Sequence, residues 1–251
     1  MPPEKRTYVV TGAASGIGLG IARHLIAGGA RVAMLDVREG ALLAAASEFG
    51  PDALALTCDL TDERSVRVAF EAVADWADAI DGVVASAGVQ LFGQDAAIQD
   101  LDLEVFDRTA AVNVRGAVLT GKYGSRALIE AGRGGSIVLI GSPTGLVGQA
   151  RGFTSYSTSK AAIFGLSRVM AADLAEFDIR VNVVVPGFTD TPLVRSLIDD
   201  PGATAGFVAK IPLRRPGTPE DIAPMVEFLL REGSSYATGA VFTVDGGMLA
   251  V

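Results

Sequence analysis

Cysteine, histidine and tryptophan each occur once in the 251 residues. A lone Cys58 excludes an internal disulfide, and with His24 as its only possible imidazole companion it leaves no Cys/His set for a structural zinc site. No metal is expected; Asp95 and Asp100, and Asp199 and Asp200, lack convergent spacing and read as solvated loop charges. Positive charge is scarce too: 21 Lys and Arg against 29 Asp and Glu give a net charge of -8, with no basic stripe to neutralise a nucleic-acid backbone. No apolar run approaches the roughly 20 residues that span a bilayer. The opening MPPEKRTYVVTG has neither the apolar stretch nor the cleavage site of a signal peptide. The expectation is a cytoplasmic protein with no membrane or nucleic-acid partner. Linkers and internal repeats are missing as well, so residues 1–251 read as one domain.

What is present is alternation. Short runs rich in Val, Ile, Leu and Ala are followed by longer amphipathic stretches, the pattern of a parallel sheet covered on both faces by helices. The predicted strands are 7–10, 31–36, 53–58, 82–87, 136–141, 180–186 and 240–244, and the predicted helices 16–27, 39–49, 62–76, 103–130, 155–176 and 219–230. The fold class is therefore α/β, a Rossmann-type doubly wound sheet of seven parallel strands. The last helix has the plainest start: Thr218 as cap, Pro219 in the first position and Asp221 three residues after the cap. The one long break, Phe188 to Arg215, carries five prolines and glycines and reads as a substrate lid with a short helix near Pro192 to Ile198.

Directly after the first strand stands TGAASGIG, with Gly12, Ser15, Gly16, Ile17 and Gly18 in a turn that opens a helix. Glycine allows a tight turn and close approach to a pyrophosphate, and a helix N-terminus presents free N–H groups to it. Glycines serve ordinary turns equally well, but Asp36, ending the second strand about 20 residues on, stands where a ribose-binding carboxylate belongs. A carboxylate there repels a 2′-phosphate, which favours NAD over NADP. Arg38 is expected to be solvated.

TGAASGIG, SAG at Ser86–Gly88 and YSTSK at Tyr156–Lys160 together strongly resemble the short-chain dehydrogenase/reductase family, and CDL, VNV, IGS, PGFTDTP, RRPGTPEDIA and VDGG extend the likeness along the whole chain. The resemblance implies that Asp59 holds the adenine amino group with Leu60 beside it, and that Ser86, Ala87 and Gly88 pass beneath the adenosine ribose. Pro186, Gly187 and Phe188 would lie along the nicotinamide, with Thr189 and Thr191 at its carboxamide or the pyrophosphate. Where Ser86 stands, family members more often carry Asn, so only a backbone contact is implied. Asn113 matches the family asparagine whose backbone carbonyl holds a water linking Lys160 to solvent. The resemblance also implies a homotetramer, built through two long helices and the last strand and C-terminal segment, and the apolar ending GGMLAV suits such an interface.

Tyr156 and Lys160 lie four apart on a predicted helix and share a face. A free phenol, with a pKa near 10, is about three units too weak an acid to serve as base at neutral pH. The ammonium of Lys160 and the positive ring of an oxidised nicotinamide would favour the phenolate. Ser142, ending the fifth strand at the edge where such sheets bind substrate, is the serine expected to hold the substrate oxygen, in preference to Ser136, Ser155 or Ser157. Tyr156 and Lys160 would also touch the cofactor. The expected function is hydride transfer between NAD and a secondary alcohol or ketone, in a pocket framed by Pro143, Thr144, Gln149, Phe153 and the lid. The alternatives are a 3-oxoacyl thioester reductase, an epimerase or dehalogenating enzyme on the same fold, and a silent dinucleotide-binding regulator.

Overall fold

The computed structural model describes residues 5–148 and 151–250. Strands β1 (Thr7–Thr11), β2 (Arg31–Asp36), β3 (Ala53–Thr57), β4 (Gly82–Ala85), β5 (Gly135–Ile140), β6 (Ile179–Pro186) and β7 (Val241–Val244) make one sheet in the order β3-β2-β1-β4-β5-β6-β7. Every pair is parallel, as the alternation of strand-like and helical runs predicts. Side chains alternate across the sheet. Val9, Val83, Ile137 and Val183 face one core with Val66, Phe70, Leu128 and Phe164. Their neighbours Val10, Val84, Val138 and Val184 face the other, with Ile21, Leu25, Ile222 and Leu229. Burial on both faces is why the central strands read as unbroken apolar runs.

Helices α1 (Gly16–Ala27), α2 (Glu39–Ser47), α3 (Glu63–Trp76), α4 (Leu103–Ala110), α5 (Gly116–Ala131), α6 (Thr154–Leu174), α7 (Arg195–Ile198), α8 (Pro201–Val208) and α9 (Pro219–Leu230) complete the described chain. The chain winds from β1 out to β3, then returns to lay β4 on the other side of β1. That reversal opens a crevice at the carboxyl ends of β1 and β4, where open α/β sheets bind ligands. The cap of α9 forms as the sequence suggests, with Asp221 accepting from the Thr218 N–H at 2.8 Å.

Two helical expectations need correction. The predicted 103–130 helix is broken by a π turn, Ala111–Arg115, between α4 and α5. Such turns add a residue to the spiral and commonly mark functional sites. Here the turn carries the buried Asn113 inward. In the Phe188–Arg215 segment, a 3-10 turn (Pro192–Val194) leads into the expected α7, but α8 follows where Pro201 and Gly202 had suggested loop. Proline suits a first helical position, and Asp200 Oδ1 accepts from the Gly202 N–H at 2.9 Å. Other boundaries shift by a residue or two, leaving Cys58 and Ala87 just beyond their strands. Cys58 is buried as a small apolar residue, and burial pushes its thiol up to about 11.

Candidate active site

The turn after β1 meets the loop after β4 at close quarters. Gly12 has φ +69°, and a Cβ there would lie 2.8 Å from Ala87 Cα; a Cβ on Gly18 would fall on the Gly12 carbonyl oxygen. The Thr11 hydroxyl accepts from the N–H groups of Ser86 and Ala87 at 3.2 and 3.3 Å, fixing that loop. The result is a side-chain-free cradle at the N-terminus of α1, which fits a pyrophosphate. Every residue expected at the dinucleotide, from Gly12 through Asp36, Asp59, Leu60 and Ser86–Gly88 to Pro186–Thr189 and Thr191, lines a single cavity of about 770 Å³. Ser142, Tyr156 and Lys160 line it too; Asn113 does not.

Arg38 is exposed, as expected, and is also paired. Its backbone N–H and Nε donate to Asp36 Oδ1 at 3.0 and 3.1 Å, and its Nη2 donates to Asp36 Oδ2 at 3.1 Å and Ser15 Oγ at 2.8 Å. Ala14 N–H also reaches Asp36 Oδ2, at 3.1 Å. Burial pushes the Asp36 carboxyl up, but these hydrogen bonds outweigh it and hold the group below its ordinary value. The bend after β2 folds Arg38 back onto the carboxylate two residues before it. Asp59 points its Oδ1 at Thr61, accepting from the N–H and the hydroxyl at 2.8 Å each.

Tyr156 stands in the first turn of α6 and Lys160 one turn on, both buried in the described chain. Lys160 Nζ donates to the Ile140 carbonyl at 2.9 Å and lies 5.7 Å from the Tyr156 ring centre. Ser142, two residues past β5, shares a 3.1 Å hydrogen bond with the Thr144 hydroxyl. Burial pushes the Tyr156 phenol up, and a hydrogen bond with Ser142 offsets part of the rise. Burial brings Lys160 down to about 8. Burial thus works against the charged form of both groups. Among the rival serines, Ser136 Oγ is spent on the Leu229 carbonyl at 2.8 Å, on the sheet's far side.

A family model described as enoyl-(acyl carrier protein) reductase matches residues 12–249. Cis-4-hydroxycyclohexanecarboxylate dehydrogenase of Sinomonas cyclohexanicum is 40% identical over 249 residues, 98% of each chain. A short-chain type dehydrogenase/reductase from Mycobacterium marinum superposes with a TM-score of 0.92 at 35% identity, covering 98% of this chain and 96% of that one. The chain belongs to the short-chain dehydrogenase/reductase family. A further member, 3-ketoacyl-(acyl-carrier-protein) reductase from Brucella melitensis complexed with NADH, has a TM-score of 0.89 at 30% identity over 98% of both chains. This dehydrogenase/reductase is thus an oxidoreductase that moves hydride at CH–OH carbons with a nicotinamide dinucleotide.

Two positions in this dehydrogenase/reductase do more than the sequence suggested. The Asn113 side chain clamps Val89, accepting from its N–H at 2.7 Å and donating to its carbonyl at 2.9 Å, and also donates to Ser159 Oγ at 2.9 Å. It ties the loop after β4 to α6. Asp95, expected to be solvated, holds the N-terminus of α6: Oδ1 accepts from Ser155 N–H and Oδ2 from Tyr156 N–H, both at 3.0 Å. Sequence spacing gives no hint of a contact made across 61 residues. The substrate end of the cavity is walled by Pro143, Thr144 and Phe153, as expected, and by Phe92 and Phe207. Phe207 of α8 stacks on Phe188 with centroids 4.7 Å apart. Gln149 lies outside the described residues.

Proposed function

We propose that the protein is an NAD-preferring dehydrogenase of a small or medium secondary alcohol or the matching ketone, working mainly as an oxidant. The observation that carries this reading is the convergence of Tyr156, Ser142 and Lys160 in one cavity with a glycine cradle and a buried carboxylate, Asp36. When bound, the dinucleotide supplies or accepts the hydride and, in its oxidised form, brings a positive charge. Tyr156 exchanges the proton with the substrate oxygen, Ser142 holds that oxygen, and Lys160 passes the proton onward. Asn113 positions the Val89 loop and α6 around them, and its backbone carbonyl takes the water that links Lys160 to solvent. The protein's own groups keep Tyr156 protonated at neutral pH, which readies it for ketone reduction. Alcohol oxidation needs the additional positive charge.

Asp36 supports NAD, since a buried carboxylate repels a 2′-phosphate. Arg38 and Ser15 beside it favour a second reading, in which NADP is tolerated. The full-length similarity to a cyclohexane-ring dehydrogenase favours a cyclic secondary alcohol over a 3-oxoacyl thioester. The 188–215 segment acts as the lid of a single domain, because α8 brings Phe207 to the cavity wall. Exposed Val118 and Ile129 on α5, Val169 on α6, and Tyr236 and Val241 near the sheet edge support a homotetramer; a monomer by light scattering would count against it. The lone buried thiol suits a reducing cytoplasm, which fractionation checks. The deciding experiment is an activity screen with NAD and NADP over cyclic and acyclic alcohols and ketones. NADH formation from secondary alcohols is expected, and no turnover with either cofactor would sink the reading.

A further inference from the structure

Both signs of charge line the cavity, but the carboxylates are confined to one end, where Arg38 pairs with Asp36. The two carboxylates, Asp36 and Asp59, both lie at its adenosine end, and both accept hydrogen bonds from neighbours there. Around Tyr156 and Ser142 the described lining holds no carboxylate, and Gln149 and Ala150, the two residues not described in the neighbouring loop, carry no charge. Arg151 and Lys210 line the cavity from the two sides that frame the substrate, the segment between Ser142 and Tyr156 and the segment after α8. Neither has a side-chain partner among the described residues.

Unpaired surface cations are common, so the contrast with their neighbours matters. Arg195 lies 3.8 Å from Asp190 and 3.9 Å from Asp199, Arg214 donates to the Ala209 carbonyl at 2.8 Å, and Arg215 donates to Asp221 at 2.6 and 2.7 Å. None of those three lines the large cavity. In this part of the fold, the cations that turn away are satisfied and the two that face the cavity are not. Gln90 adds a third donor: it lines the cavity, and its buried Nε2 has no hydrogen-bond partner. A buried donor left unmatched is costly, and ligands repay it by bringing acceptors.

We infer that the substrate carries, apart from its carbinol or ketone, a compact oxyanion, a carboxylate or sulfonate, that Arg151 and Lys210 attract and Gln90 helps orient. The inference rests on the dehydrogenase reading of the same site. Phe92, Phe153 and Phe207 line the same cavity and suit a hydrocarbon ring or short chain between the two ends of the substrate. Two exposed cations facing one anion contribute modestly each, so a preference of roughly tenfold in kcat/KM is expected, shrinking with added salt.

The test compares 4-oxocyclohexanecarboxylate, 4-oxocyclohexanesulfonate, the methyl ester of the former, and cyclohexanone, each reduced with NADH. The wild type should favour the anions by about tenfold, and the Arg151→Gln/Lys210→Gln double variant should lose that preference while keeping its rate on cyclohexanone and its NADH affinity. Which of the two anions is preferred separates carboxylate from sulfonate. Cyclohexanecarboxylate and cyclohexanecarboxamide are titrated in parallel into the NADH-saturated protein, with NADH fluorescence as the readout. Absence of turnover throughout would count against the dehydrogenase reading, while the titration still reports on the anion. Equal binding of acid and amide, or a double variant that loses acid, ester and NADH alike, overturns the inference. The latter result would assign the cations to the dinucleotide.

Discussion

Removal of the Asp95 carboxylate offers a direct measure of how firmly Tyr156, the proposed acid/base, is held. Its two oxygens satisfy the Ser155 and Tyr156 N–H groups at 3.0 Å, and Oδ1 also accepts from Ala96 N–H at 3.0 Å. The two on α6 are orphan donors of a helix start, and one of them belongs to the proposed acid/base, Tyr156. Loss of a good N-terminal cap costs about 0.5–2 kcal/mol. With an ionised acceptor spanning two α6 donors, the upper end, about 2 kcal/mol, is appropriate. For a chain of this size that lowers Tm by roughly 4–8 °C. If the loss falls on the first turn, the fraction of molecules with Tyr156 in place drops by up to about 30-fold, and kcat with it. Asp95 does not line the cavity, so NADH affinity should hold within about twofold. Asp95→Ala is assayed by steady-state kinetics, thermal unfolding and NADH fluorescence titration. Asp95→Asn, which keeps one acceptor oxygen, should fall between variant and wild type. A Tm drop of the expected size with kcat unchanged would refute the positioning argument and leave Asp95 an ordinary cap.

Tyr156→Phe should abolish turnover and leave NADH binding intact, since the ring remains; substantial residual activity would hand the proton to another group. Lys160→Met should inactivate the enzyme and stabilise it at neutral pH. Burial holds the folded lysine at about 8 against roughly 10.4 unfolded, a cost of about 3 kcal/mol below pH 8, offset by about 1 kcal/mol for the orphaned Ile140 carbonyl. Because the folded value is the lower one, the gain should fade as pH rises from 8 towards 10.4; a Tm difference that is flat over that range refutes it. Arg38→Ala frees Asp36 from two side-chain hydrogen bonds, so the KM for NAD should drop a few-fold while any NADP activity falls; the NAD/NADP ratio of kcat/KM is the readout.

The sheet was legible because its short apolar runs, buried on both faces, and their alternation with helices are written locally. The nucleotide turn was legible for the same reason, since Gly12, Gly18 and Asp36 owe their meaning to one βαβ unit. What the sequence concealed is tertiary. The π turn depends on hydrogen bonds from Asn113 to Val89 and Ser159, partners 24 and 46 residues away. Asp95 caps a helix it does not adjoin, and Arg38 returns to Asp36 through a bend that no propensity announces. Burial, which opposes the charged forms of Tyr156 and Lys160, is likewise invisible in their spacing.

The π turn at Ala111–Arg115 puts local preference and site geometry in opposition. Such a turn holds one residue more than an α-helix needs, so a chain shortened by one residue here could join α4 and α5 into a single regular rod. That rod would have the better backbone hydrogen bonds, yet everything before it would be turned by about 100° relative to α5. Asn113 would swing off Val89 and Ser159, and the loop after β4 would come away from α6. The shortest deletion that improves this helix is therefore one that dismantles the proposed proton path. The chain's length at this point is held by the site it serves, against the preference of the helix.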